Sequence, residues 1–297
     1  MFNPLLKLEM LREGRGARLP LLIIFYNAIL ALITIVIMLL NAQSFSEGYY
    51  YDPAASRTHF LIISTIQIAF AVCLVTVLVW SSYSADNENR AGENFQMVPG
   101  FCRQFVFARL KIAMFTSLLT FGSSLPVILL SAIYSGVDWL HIMGLFLMVV
   151  LFCFWSGALA ILCFSMLKKS FLSMLMNIVL AGAFSMGTYL MVAVINGRLF
   201  LDQSDFLAGG AVNAVASARQ IVSMIILSLS PLSAYMGFRS SITGESGFSG
   251  EYSMNLGLDL TSPMFEFVFF KLAIVMMIFS GLLFIWLSVR LMNNRKS

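Results

Sequence analysis

Apolar residues gather into six long runs separated by short polar stretches: Leu19–Leu40, Phe60–Ser81, Phe105–Tyr134, Leu140–Leu167, Phe171–Ile195 and Phe265–Leu291. A bilayer core about 30 Å thick needs roughly 20 apolar residues in a helix rising 1.5 Å per residue. Every run meets that length. Only helices and closed barrels satisfy backbone groups in lipid, and barrel strands would alternate with a period of two. The continuous runs therefore predict an all-α integral membrane protein with six transmembrane helices.

Residues 197–264 predict less regular structure. They hold Asp202 and Asp205, then a moderately apolar run, Ile221–Phe238, between Arg219 and Arg239. Pro231 interrupts this run, and Ser223, Ser228, Ser230 and Ser233 dilute it. A seventh span would place Arg290, Arg295 and Lys296 outside. The preferred reading is a pair of re-entrant half-helices in the outer leaflet before the last span, packed on protein so that the broken backbone is satisfied. Ser240–Ser262, rich in Gly and Ser, reads as an exposed loop.

Residues 1–18 precede the first span. Leu5, Leu6, Leu8, Met10 and Leu11 interleave with Lys7, Glu9, Arg12 and Glu13. This suits an interfacial elbow, a short helix with its apolar side in lipid; a plain basic flank anchoring span one is the alternative. The loop at residues 82–104 is the longest inner connection. It carries dense charge, then Phe95, Met97, Val98 and Phe101, which fit a short helix docking on a partner or an interfacial turn.

Composition agrees with the runs. Apolar residues make up 60% of 297 and charged residues 11%, with mean hydropathy +0.90, whereas soluble domains hold about 25% charged residues. Alternating spans with the N-terminus inside put 13 of the 18 Lys and Arg on the inner side. The positive-inside rule then gives both termini in the cytoplasm of a multi-pass cell-membrane protein, of the prokaryotic plasma-membrane type.

Candidate chemistry is sparse. The histidines, His59 and His141, lie at outer span ends, and the span interiors are almost free of ionisable residues. No metalloprotease, hydrolase or phosphate-loop motif is present, so the chain reads neither as an enzyme nor as a protein with its own ATPase site or bound cofactor. Asp138 and His141 read as an interfacial cap. Asn27, Gln67 and Asn177 read as hydrogen-bonding groups between packed helices. Small residues at Ser156–Ala160, and at Ala181–Ala183 with Gly187, allow close helix approach. Cys73, Cys153 and Cys163 lie in spans and Cys102 on the inner side, as packing residues rather than disulfides. Pro126 breaks the third run in its outer half. Pro126 and Pro231 are the gate candidates.

In this order the elements resemble the permease subunits of ABC-2 type transporters. NPLLKLEMLREGRGAR before the first span is similar to the family's N-terminal elbow. SADNENRAGENFQMVPG is similar to its conserved loop after span two. Ser84, Glu88, Arg90 and Pro99 match, while Ala91–Gly92 replaces a Gly-Thr, and Phe95 and Met97 replace a Leu-Leu. Arg109–Lys111, Ser124–Leu125–Pro126 and Ser230–Pro231–Leu232 fall where the family has related short motifs. The resemblance implies six spans, a second permease chain as homo- or heterodimer partner, and separate cytoplasmic ATP-binding subunits that hold ATP and Mg. It implies that residues 82–104 couple to the ATPase through Glu88, Arg90, Phe95, Met97 and Pro99. Membrane lipid is the other partner, and nucleic acid is none. A secondary transporter working alone, or a non-transporting assembly or sensor subunit, are the competing classes.

Overall fold

A computed structural model describes residues 18–46, 53–88, 101–167, 169–195, 222–223, 225–243 and 263–294. The fold is 96% helical with no strand among those residues. The helices are α1 (Arg18–Ser46), α2 (Pro53–Glu88), α3 (Phe101–Ser123), α4 (Leu125–Ser135), α5 (Trp139–Met166), α6 (Ser170–Gly182), α7 (Thr188–Ile195), α8 (Pro231–Thr243) and α9 (Pro263–Asn294). A π-helical turn, Ala183–Gly187, joins α6 to α7. Among the described residues six helical stretches are long and apolar enough to cross a membrane, the fifth running through α6, the π-turn and α7, as the six runs predict. The elbow at residues 1–18 except Arg18, the segment at 89–100 and most of 197–264 lie outside the described residues.

The third run is not one helix. α3 ends at Ser123, and α4 starts at Leu125 as a separate eleven-residue helix. Pro126 has no N–H to give the carbonyl four residues back and disfavours helical backbone before it. The chain therefore makes a tighter turn, with the Ser124 N–H donating to the Phe121 carbonyl at 3.0 Å. α4 stops as sharply. Gly136 adopts φ +62°, its N–H donates to Ile133, and the Val137 N–H donates to Ala132 at 3.1 Å. This left-handed glycine cap uses carbonyls that would otherwise be orphaned.

The chain divides into two compact units, Met1–Asn177 with Gly281–Ser297, and Ile178–Ser280. In the first, α5 is the central helix: 72% of its span is buried, against 17% for α1. α5 packs on α2 and α3. Gly157 permits this approach, since a Cβ there would sit 2.7 Å from Leu110 Cδ1 and 3.0 Å from Val75 Cγ1. Gly281 does the same on α9, where a Cβ would meet Phe154 Cε1 at 2.5 Å. Close packing of this kind drives helix association in lipid, where the hydrophobic effect between helices is absent. Cys153 and Cys163 are buried as free thiols in α5. Asp138 stands at the start of α5, and its carbonyl accepts the His141 N–H at 3.0 Å.

In the second unit, α8 begins at Pro231, after a turn at Leu229–Ser230 and a helical stretch at 225–228. The serines that dilute this run have a structural use. Ser228 Oγ donates to the Ile225 carbonyl at 2.7 Å, and Ser233 Oγ lies 2.6 Å from the Leu227 carbonyl. Ser230 Oγ donates to the Ser185 carbonyl, in the π-turn, at 3.2 Å. Hydroxyls thus satisfy carbonyls near the break. Gly182 and Gly187, read from the sequence as packing positions, would meet no atom of the described residues within 4 Å if they carried a Cβ; Gly182 precedes the π-turn and Gly187 ends it.

Candidate functional site

The break between α3 and α4 organises the principal polar cluster among the described residues. Tyr26 on α1 donates its hydroxyl to Gln67 Oε1 on α2. Gln67 Nε2 donates to Ser124 Oγ at 2.9 Å, and the Ser124 hydroxyl donates to the Phe121 carbonyl at 2.7 Å. This chain runs from α1 through α2 to the break. Tyr26, Gln67 and Ser124 are all at least 96% buried. Beside it, Asn27 Nδ2 reaches Ser123 Oγ at 2.8 Å and the Ile23 carbonyl at 2.9 Å.

Apolar packing holds the cluster. Tyr26 stacks on Phe70 with ring centroids 3.9 Å apart. Leu30 and Ile63 complete a buried group, flanked by Ile33, Phe70 and Val127. In this low-dielectric setting each hydrogen bond is strengthened, and each unmade one is costly. Asn27 and Gln67 therefore take the interhelical role read from the sequence. Asn177 is also placed so, with Nδ2 3.5 Å from Thr76 Oγ1.

A second polar face lies farther along α4. Ser124, Ile128, Ser131 and Ser135 recur at helical spacing and are all buried. Ser131 Oγ and Ser135 Oγ have no hydrogen-bond partner among the described residues. α4 packs on α2, and there the His59 ring meets the Tyr134 ring edge to face at 5.5 Å. His59 is 1% exposed, and neither ring nitrogen has a hydrogen-bond partner among the described residues.

At the other end of α2, Tyr83 stacks on Phe164 of α5 at 5.1 Å and meets Phe105 of α3 edge-on at 5.6 Å. The Arg109 guanidinium lies 5.1 Å from the Phe105 ring centroid, in a side chain only 7% exposed. The geometry is that of a cation–π contact in a desolvated place.

Pro126 is the second residue of a helix in the first unit, and Pro231 starts one in the second. Glu88 ends α2, while Arg90, Phe95, Met97 and Pro99 lie outside the described residues. Sequence reasoning passed over Ser131 and Ser135, and it placed His59 and Arg109 at span ends without seeing that they are buried. The serine spacing after Pro126 was the available signal. The burial of His59 and Arg109 was not legible, because both sit at span ends where exposure is the ordinary outcome. Among the described residues no cluster of three His, Cys, Asp or Glu could hold a metal ion. No family model matches the chain, and no curated protein or solved structure matches it.

Proposed function

We propose that this chain is the membrane-spanning permease subunit of an ABC-2 type exporter, driven by a separate cytoplasmic ATP-binding subunit. The observation that carries this reading is the ordered set of sequence resemblances: elbow, loop after span two, Ser124–Leu125–Pro126 and Ser230–Pro231–Leu232, set among six apolar helices. Two of these short motifs coincide with helix breaks.

The geometry of α2 adds support. Its 36 residues measure about 54 Å at 1.5 Å per residue, well beyond a hydrocarbon core of about 30 Å. A helix of that length carries its polar C-terminal turns, Ser84–Glu88, out of the membrane towards the segment at 89–100. The ends of α2 and α3 that flank this segment are held to one another by Tyr83 and Phe105, and to α5 by Phe164. A force on residues 89–100 would act on these helices together rather than be lost in slack. In this reading, ATP-driven closure of the partner moves the segment, and the helices rearrange between states that contact substrate differently. A second permease chain completes the pathway.

The test is at the docking segment. Buried aromatic anchors often carry more than about 2 kcal/mol, and rim charges far less. Phe95→Ala should weaken ATPase co-purification and coupled ATP turnover more than Arg90→Ala, with membrane insertion unchanged. Full coupling in a Phe95→Ala, Met97→Ala double variant would remove the docking role. Proton- or sodium-driven uptake by the chain alone would overturn the permease reading.

A further inference from the structure

We infer that the seam between the first turns of α2 and the half-helix α4 is a binding site for an uncharged, hydroxyl-bearing group, admitted when α4 pivots away from α2. His59 offers two ring nitrogens to this seam, and Ser131 and Ser135 lie on the buried face of α4. None of these four polar atoms has a hydrogen-bond partner among the described residues. All three residues are at least 97% buried. A buried polar group without a partner is expensive and calls for an explanation. Several on facing helices mark a surface built to meet something that both donates and accepts.

The donor and acceptor inventory narrows the ligand. Neutral imidazole supplies one donor and one acceptor, and each hydroxyl supplies one donor and two acceptor lone pairs. A group with the same mixed character, such as a sugar or polyol hydroxyl pair, matches them. A fully charged group does not. The segments at 30–40, 58–71 and 125–135 contain no Asp, Glu, Lys or Arg, and Arg57, in the first turns of α2, is exposed, so no buried countercharge faces the seam from these stretches of α1, α2 and α4.

α4 is jointed so that it can pivot. At Ser124 the helix ladder is interrupted, and Pro126 cannot restore it. At the other end Gly136, with φ +62°, closes the helix. The Gln67–Ser124 bond pins the first joint to α2. Movement about it would part the far end of α4 from α2, breaking the His59–Tyr134 edge contact first. The inference concerns this seam alone and stands whether or not an ATPase drives the chain.

Single cysteines at Ser131, Ser135 and the lipid-facing Ile133 (81% exposed) would be made in full-length protein with Cys73, Cys102, Cys153 and Cys163 changed to Ala. In proteoliposomes, an impermeant methanethiosulfonate should label positions 131 and 135 about tenfold faster than 133. This is the factor expected if hydration relieves the unpartnered groups. His59→Leu should slow labelling at both positions by about the same factor, and His59→Gln, which keeps a donor and an acceptor, should not. Octyl glucoside below its micelle concentration should protect both cysteines, and octyl phosphocholine should not. Protection by free glucose as well identifies an aqueous source, and protection by the glucoside alone a membrane one. Labelling of 131 and 135 no faster than 133 overturns the opening seam. Labelling without protection by glucoside or glucose, or equal protection by the phosphocholine, overturns the assigned ligand. Monodispersity and helical content of each variant separate these results from misfolding.

Discussion

Gln67 Nε2 lies 2.9 Å from Ser124 Oγ, so a glutamine in the middle of one span holds the joint at which another span breaks. Gln67 also accepts from Tyr26, which ties the first helix to the same point. Gln67→Leu would leave the Tyr26 hydroxyl without its acceptor and Ser124 without its donor. The expected loss is about 1–3 kcal/mol. A Gln67–Ser124 double-mutant cycle should give a coupling of about 0.6–1.7 kcal/mol, the range for interhelical bonds in membranes. Unfolding by sodium dodecyl sulfate in mixed micelles measures both, and a coupling indistinguishable from zero would contradict the pinning role.

The glycines separate by what surrounds them. A Cβ at Gly281 would sit 2.5 Å from the Phe154 ring, and one at Gly157 2.7 Å from Leu110. A Cβ at Gly122 meets no atom of the described residues within 4 Å. Overpacking costs about 1–3 kcal/mol, whereas exchanging an unhindered helical glycine for alanine gains up to about 1 kcal/mol. The expected order of stability is therefore Gly122→Ala at or above the parent, then Gly157→Ala, then Gly281→Ala. The same unfolding measurement ranks them.

Pro126→Ala restores an N–H near the break and should let α3 and α4 draw into one straighter helix. Spin labels at Phe115 and Ile133, both exposed, should then report a longer and narrower distance distribution by pulsed electron resonance. An unchanged distribution would show that the Ser124 anchor, rather than the proline, sets the bend.

The charge bias makes a claim about sidedness. Single cysteines at Ser249 and Ser297, in the background lacking the native four, should differ towards an impermeant thiol reagent added outside, with only position 249 reacting. Tags before Arg219 and after Arg239 should report the same, outer side. Reaction at both cysteines from outside, or tags on opposite sides, would replace the half-helix topology with seven spans.

The linear sequence determined the helical class, the six apolar spans and the break near Pro126. Each follows from a one-dimensional property: run length against bilayer thickness, or a residue that lacks an N–H. The interhelical roles of Asn27, Gln67 and Asn177 were legible too, since amides within apolar runs need partners. Tertiary structure decided which partners those are, because Gln67 and Ser124 are 57 residues apart in the chain. It also decided that His59 and Arg109 are buried rather than exposed at their span ends. The π-turn at Ala183–Gly187, with the Ser185 carbonyl facing Ser230, left no trace in the pattern of apolar positions. A one-residue change in helical winding alters which groups face a neighbour, and hydropathy averages over that; only the packed helices bring such groups together.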